Sequence, residues 1–131
     1  MGILSGLFGN KKNEELNEKE ALPWIKLLTL DQLQEIELKS KTKPQFIFKH
    51  STTCGISRMV LNTFKNTYKF DKDQADLYYL DLHSNRDVSN ETGYKFQVMH
   101  QSPQLLIIKN GVAVAHASHG SINELELEKF L

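Results

Sequence analysis

Apolar positions occur along this chain in short runs, and their spacing changes from run to run. WIKLL (24–28) alternates as a short strand does. Thr29-Leu30-Asp31-Gln32 has capping-box form, a hydroxyl at the N-cap with a glutamine three residues on to reach back. Leu30, Leu33 and Ile36 follow at helical spacing, which predicts a helix over about 30–40. The polar break KSKTKP ends at Pro44. QFIFK (45–49) is then a compact apolar run with aromatic and β-branched content, the pattern of a central strand. Ile56, Val60, Phe64 and Tyr68 recur every fourth residue and predict one face of a helix over 55–68. LYYLDL (77–82) reads as a third strand, whose Tyr78 and Tyr79 point to opposite sides. A helix from Asn85 to Phe96 is expected, though Gly93 and scattered polar residues weaken its pattern. Two apolar runs, QLLIIK and VAVAHA, flank Asn110-Gly111, a pair suited to the positive φ angles of a tight hairpin. Ser121 and Glu124 repeat the capping-box spacing and predict a C-terminal helix with Ile122, Leu125 and Phe130 toward the core.

The element order is therefore β-α-β-α-β-α-β-β-α. Helical connections between the first three strands imply parallel or mixed pairing, and the last two strands form an antiparallel hairpin. The fold class is α/β, a small mixed sheet with helices on both faces. The 131 residues suit one domain. Residues 22–131 carry all the predicted elements, with Trp24 as a packing anchor at the domain edge. Residues 1–21 read as a flexible leader, because the few apolar residues near Met1 are followed by a charged, polar dozen. That apolar stretch is too short for a signal peptide or a span, so a membrane partner is not expected.

Lysine plus arginine balance aspartate plus glutamate at 16 each, and no basic excess asks for nucleic acid. The chain holds one cysteine, which rules out an internal disulfide and fits a reducing cytoplasm. A monomer is expected.

That cysteine, Cys54 in FKHSTTCGIS, stands where a strand runs into a helix. The first amides of a helix have no intrahelical partner and carry part of the macrodipole's positive charge. A sulfur in the first helical turn is therefore favoured as thiolate, the nucleophile of thiol–disulfide exchange. The carboxyl end of a central strand is also where α/β sheets tend to bind ligands. Ser57 shares Cys54's side of the helix, and its hydroxyl can donate to the thiolate but cannot form a disulfide. An adduct on Cys54 therefore has to be removed by a thiol from outside. The plainer alternative is a small buried hydrophobe without reactivity; Ser51, Thr52 and Thr53 argue against it by making the surroundings polar. Pro103 suits a strand start, since it cannot donate to a ladder. A cis Ser102–Pro103 bond would leave the Ser102 backbone free to pair with a bound chain. No metal site is expected, because His50, His83, His100, His116 and His119 show no i, i+4 pair and no second cysteine. His50, which ends the strand before the turn, and His119, which precedes the last helix, are candidates to approach the sulfur, with a solvated or capping role as the expected state of each. Lys49 and Arg58 flank the site, with solvated charge as their expected state.

The strand order, the cysteine at the second helix, the proline before the KNG hairpin and the last helix resemble thioredoxin-fold proteins. More narrowly, Trp24 with LTLDQLQEI, FKHSTTCGIS and HQSPQLLIIKNGVAVAHASHGSI resemble the monothiol bacilliredoxins, the YtxJ family of the bacillithiol system, over residues 22–131. The resemblance implies a thiol–disulfide oxidoreductase in which Cys54 takes bacillithiol from S-bacillithiolated proteins, the partners it implies. Bacillithiol would be a co-substrate rather than a resident cofactor, and a reductase or another thiol would recycle the enzyme. It also implies that Ser57 stands where dithiol relatives carry their resolving cysteine, and that Pro103 matches the fold's cis-proline and faces the sulfur. Ser102 then contacts substrate backbone, and Thr53, Gly55 and Ile56 complete the substrate contacts. Gly55 stands where the family site has proline. CGIS also resembles the site of monothiol glutaredoxins that carry an iron–sulfur cluster. Those usually have a lysine where Ser51 stands and a different turn at Ser118–Ser121. A docking module with an incidental cysteine is the third reading.

Overall fold

The computed structural model describes residues 22–131; the leader expected over 1–21 lies outside the described residues. Five strands are laid down: β1 Trp24–Lys26, β2 Gln45–His50, β3 Asp76–Asp81, β4 Gln104–Lys109 and β5 Val112–Ser118. Three helices connect the first four: α1 Leu30–Lys39, α2 Gly55–Thr67 and α3 Arg86–Phe96. The sheet order is β1-β3-β2-β4-β5. β3 runs parallel to both β1 and β2, while β4 is antiparallel to β2 and to β5. This is the mixed α/β sheet that the pattern predicts, with β2 at its centre and buried along its whole length.

Alternation along β2 sorts the core into two layers. Phe46 and Phe48 pack with Val60, Leu61 and Phe64 of α2 and with Ile122 and Leu127. Ile47 packs on the opposite face with Leu33 and Ile36 of α1 and with Val88 and Phe96 of α3. Full burial of each such side chain contributes roughly 1.5–3 kcal/mol. Trp24 closes the first layer, its ring 5.6 Å from Tyr79 and 6.1 Å from both Phe48 and Phe64. Tyr78 is buried on the second face and Tyr79 half-buried on the first.

Local chemistry sets the helix boundaries. The Thr29–Gln32 capping box forms, with Gln32 N–H donating to Thr29 Oγ1 at 3.3 Å and Thr29 N–H to Gln32 Oε1 at 3.0 Å. Gly93 is compatible with α3 because the chain folds back on it. Val98 N–H donates to the Gly93 carbonyl at 3.1 Å after Gln97 takes a left-handed conformation, and a Cβ at Gly93 would lie 2.9 Å from the Val98 carbonyl oxygen. Asn110 and Gly111 both have positive φ, as a two-residue hairpin requires.

Three expectations need correction. The C-terminal α-helix does not form: the chain makes two short 3₁₀ segments, His119–Glu124 and Leu127–Phe130. Ile122 and Leu127 are both buried, and five residues of α-helix would set them some 140° apart. An extended Leu125 between the two segments lets both reach the same core, with Leu125 and Phe130 packed against it. Ile56 does not line the core face of α2; it is 60% exposed, and the buried face is Ser57, Val60, Leu61 and Phe64. Lys49 is not solvated. It is fully buried, because alternation on a strand covered on both faces leaves it no route to water.

Candidate active site

The turn between β2 and α2 brings the sequence's chemistry to the carboxyl end of the sheet. Cys54 is half-buried and stands at the N-cap of α2, one position before the first helical turn where the pattern placed it. Its backbone is extended, with φ −107° and ψ 123°. Its N–H donates to the Ser51 carbonyl at 3.3 Å, and its carbonyl accepts the Arg58 N–H at 3.2 Å. Its side chain makes no capping hydrogen bond. The amides of the first turn, from Gly55 to Ser57, follow directly and have no intrahelical acceptor.

Two histidines fasten this turn. Ser57 Oγ, fully buried, accepts the Ser51 N–H at 3.1 Å and shares a hydrogen with His50 Nδ1 at 2.8 Å. Two buried partners thus hold the hydroxyl, and Cys54 Sγ is not one of them. His50 ends β2 with its basicity lowered by burial; Asp81 opposes that effect, while Lys65 and Arg58 add to it. On the outer side, His83 Nε2 lies 2.8 Å from Ser51 Oγ and 3.1 Å from Thr53 Oγ1. The backbone N–H of His83 donates to Asp81 Oδ1 at 3.0 Å. Sequence reasoning did not place His83 here. The available signal was topological: β2 and β3 run parallel, so the residues following both strands emerge at one sheet end, where Leu82 N–H meets the His50 carbonyl at 3.1 Å.

The start of β4 reaches the same end. Gln104 pairs with Lys49 in the ladder, which sets Pro103 beside the end of β2. The Ser102–Pro103 peptide is cis, and the buried Pro103 offers its carbonyl to the His119 N–H at 3.0 Å. Ser102 Oγ is buried with no hydrogen-bond partner among the described residues. Gly55 is exposed, and a Cβ there would meet nothing within 4 Å among the described residues. Ile56 and Met59, 60% and 72% exposed, give the first turns of α2 an apolar outer surface. Arg58 is exposed beside them. Among the described residues, no group of three or more histidine, cysteine, aspartate or glutamate side chains is placed to hold a metal ion.

A mixed sheet of this order, with a cysteine capping the helix after its central strand, defines a thioredoxin-fold protein of thiol redox function. Solved structures agree. One described as a candidate oxidoreductase with a thioredoxin fold is 34% identical, with a TM-score of 0.69 over 82% of this chain and 92% of that one. Thioredoxin from Schistosoma mansoni is 26% identical, with a TM-score of 0.64 over 84% of this chain and 100% of that one. Thioredoxin from Malassezia sympodialis shares the fold at 18% identity and a TM-score of 0.63, over 82% of this chain and 91% of that one. The family model for monothiol bacilliredoxin BrxC matches residues 25–127, and the chain belongs to that family.

Proposed function

We propose that the protein removes bacillithiol from S-bacillithiolated proteins by monothiol exchange at Cys54. The Cys54 thiolate attacks the bacillithiol sulfur of the mixed disulfide. A new Cys54–bacillithiol disulfide forms as the old bond breaks, and the client sulfur leaves as thiolate and takes a proton. With no second cysteine in the chain, a thiol from outside attacks the adduct. If that thiol is bacillithiol, the products are bacillithiol disulfide and free Cys54. Thr53, Gly55 and Ile56 border the approach to the sulfur, and Ser102 and Pro103 form the facing edge. Ser57 serves by holding the turn through Ser51 and His50.

The observation that carries this reading is a half-buried sulfur at a helix N-cap, beside first-turn amides that have no intrahelical acceptor and without a capping hydrogen bond of its own. Intact-mass analysis after incubation with a bacillithiolated test protein checks it. One bacillithiol mass is expected to move onto the chain, and Cys54→Ser is expected to abolish the transfer. An adduct that never leaves the test protein under these conditions rejects the proposal.

A further inference from the structure

Lys49 is fully buried, yet it takes part in none of the three ion pairs found among the described residues. Burying a charge without a counter-charge is costly unless hydrogen bonds compensate. Its ammonium has two partners, the Ser89 carbonyl of α3 at 3.4 Å and His100 Nδ1 at 3.3 Å. An ammonium has donors only, so Nδ1 is the acceptor in this contact. His100 itself is exposed and belongs to the irregular stretch 97–103 that leads from α3 to Pro103.

The cross-strand neighbour of Lys49 makes a matching contact. Gln104 is directly opposite in the antiparallel ladder, so both side chains leave the sheet on one face. Gln104 is also buried, and its Nε2 donates to the Met99 carbonyl at 2.9 Å. Two adjacent buried donors on two strands therefore hold two consecutive residues of one loop. Met99 is itself 84% exposed and contributes little apolar anchoring to that loop.

We infer that Lys49 and Gln104 form a pin that seats the 97–103 segment and thereby positions Ser102 and Pro103 against substrate, Lys49 acting through the His100 ring. The functional half rests on the reading of Ser102 and Pro103 as substrate contacts given above. Lys49 and His100 are positioning residues: neither touches the reacting sulfur in this scheme.

The test compares wild type with Lys49→Met, His100→Ala and His100→Asn, whose amide oxygen can stand where Nδ1 stands. Amide hydrogen exchange at Val98 and His119, whose N–H groups donate to the Gly93 and Pro103 carbonyls at the two ends of the segment, is expected to rise about tenfold in Lys49→Met and His100→Ala, the effect of losing one hydrogen bond to a charged group. His100→Asn is expected to restore protection. Bacillithiol transfer from a protein substrate is expected to slow by about three- to tenfold, chiefly through KM. Alkylation of Cys54 by iodoacetamide, which needs no groove, is expected to stay at the wild-type rate. His100 is exposed, so its variants are expected to fold. Unchanged exchange at Val98 and His119 in both pin variants overturns the pin. Raised exchange with unaltered transfer overturns its role in positioning substrate. A wild-type protein that transfers no bacillithiol rejects the proposed activity alone, and the exchange measurement then still decides the pin.

Discussion

The buried Lys49 makes the protein's stability depend on alkaline pH in a way that can be worked out. Burial lowers its pKa from 10.5 to about 8. Between those values the unfolded chain holds a proton that the native state has released. Stability therefore rises with pH across this window, and it falls as pH drops toward 8. At about 1.4 kcal/mol per pH unit, the full gap is worth about 3 kcal/mol, of which about 2 kcal/mol falls between pH 8 and 9.5. Lys49→Met, close in length and apolar, removes the titrating group. Its absolute stability at pH 7 combines relief of the buried charge with loss of the contacts to Ser89 and His100, so the slope is the diagnostic quantity. Urea unfolding of both proteins at half-unit steps from pH 7 to 9.5 measures it. Tyr78, pushed up to about 12 by burial with help from Asp76 and Glu35, lowers native stability at still higher pH, equally in both proteins. The stability difference between wild type and Lys49→Met is expected to shift by about 2 kcal/mol in favour of wild type from pH 8 to 9.5. Parallel pH curves would refute the argument that this amine is desolvated.

Gly55→Pro is expected to stabilise the fold by about 0.5–1 kcal/mol in thermal or urea melts, since proline suits the first helical position and restricts the unfolded chain. Cys54 before it already has the extended ψ that a following proline demands, and nothing crowds the site. A destabilised variant would show that the Gly55 N–H has a required partner. Ser57→Ala leaves the Ser51 N–H without its acceptor and His50 Nδ1 without its partner, and is expected to cost about 1–3 kcal/mol in the same assay. A neutral result would mean that water replaces the hydroxyl.

Most of the sheet could be read from the sequence because local and long-range preferences agree there. The aromatic and β-branched run at 45–49, the Asn110-Gly111 pair and the Thr29–Gln32 box each act within a few residues, and each forms where expected, the strand running one residue further to His50. The C-terminal helix was misread for the opposite reason. Ser121 and Glu124 match a local pattern, but the need to bury both Ile122 and Leu127 overrides it. Lys49 is a similar case: its residue type suggests solvent, while its place on a strand covered on both faces puts it inside. At the candidate site, Cys54 could be located from a strand-to-helix junction alone. The bond between Ser57 and His50 could not, because spacing along α2 gives the side of a helix but not the competitor that claims a hydroxyl. His83 is 29 residues from Cys54 and becomes its neighbour in the site only through the parallel pairing of β2 with β3.

The sheet has two unlike ends. Opposite the sulfur, the Ser40 carbonyl and hydroxyl accept the Asn110 and Gly111 N–H groups, both at 2.8 Å, and Lys43 pairs with Asp76 at 2.9 Å. A six-residue strand, roughly 17 Å long, separates that rim from the turn at Ser51. Asp73, exposed on the far rim, is thus a natural mounting point for a dye or a surface tether. The coupling chemistry must avoid thiols, so that Cys54 remains the single sulfhydryl whose loading the instrument reads.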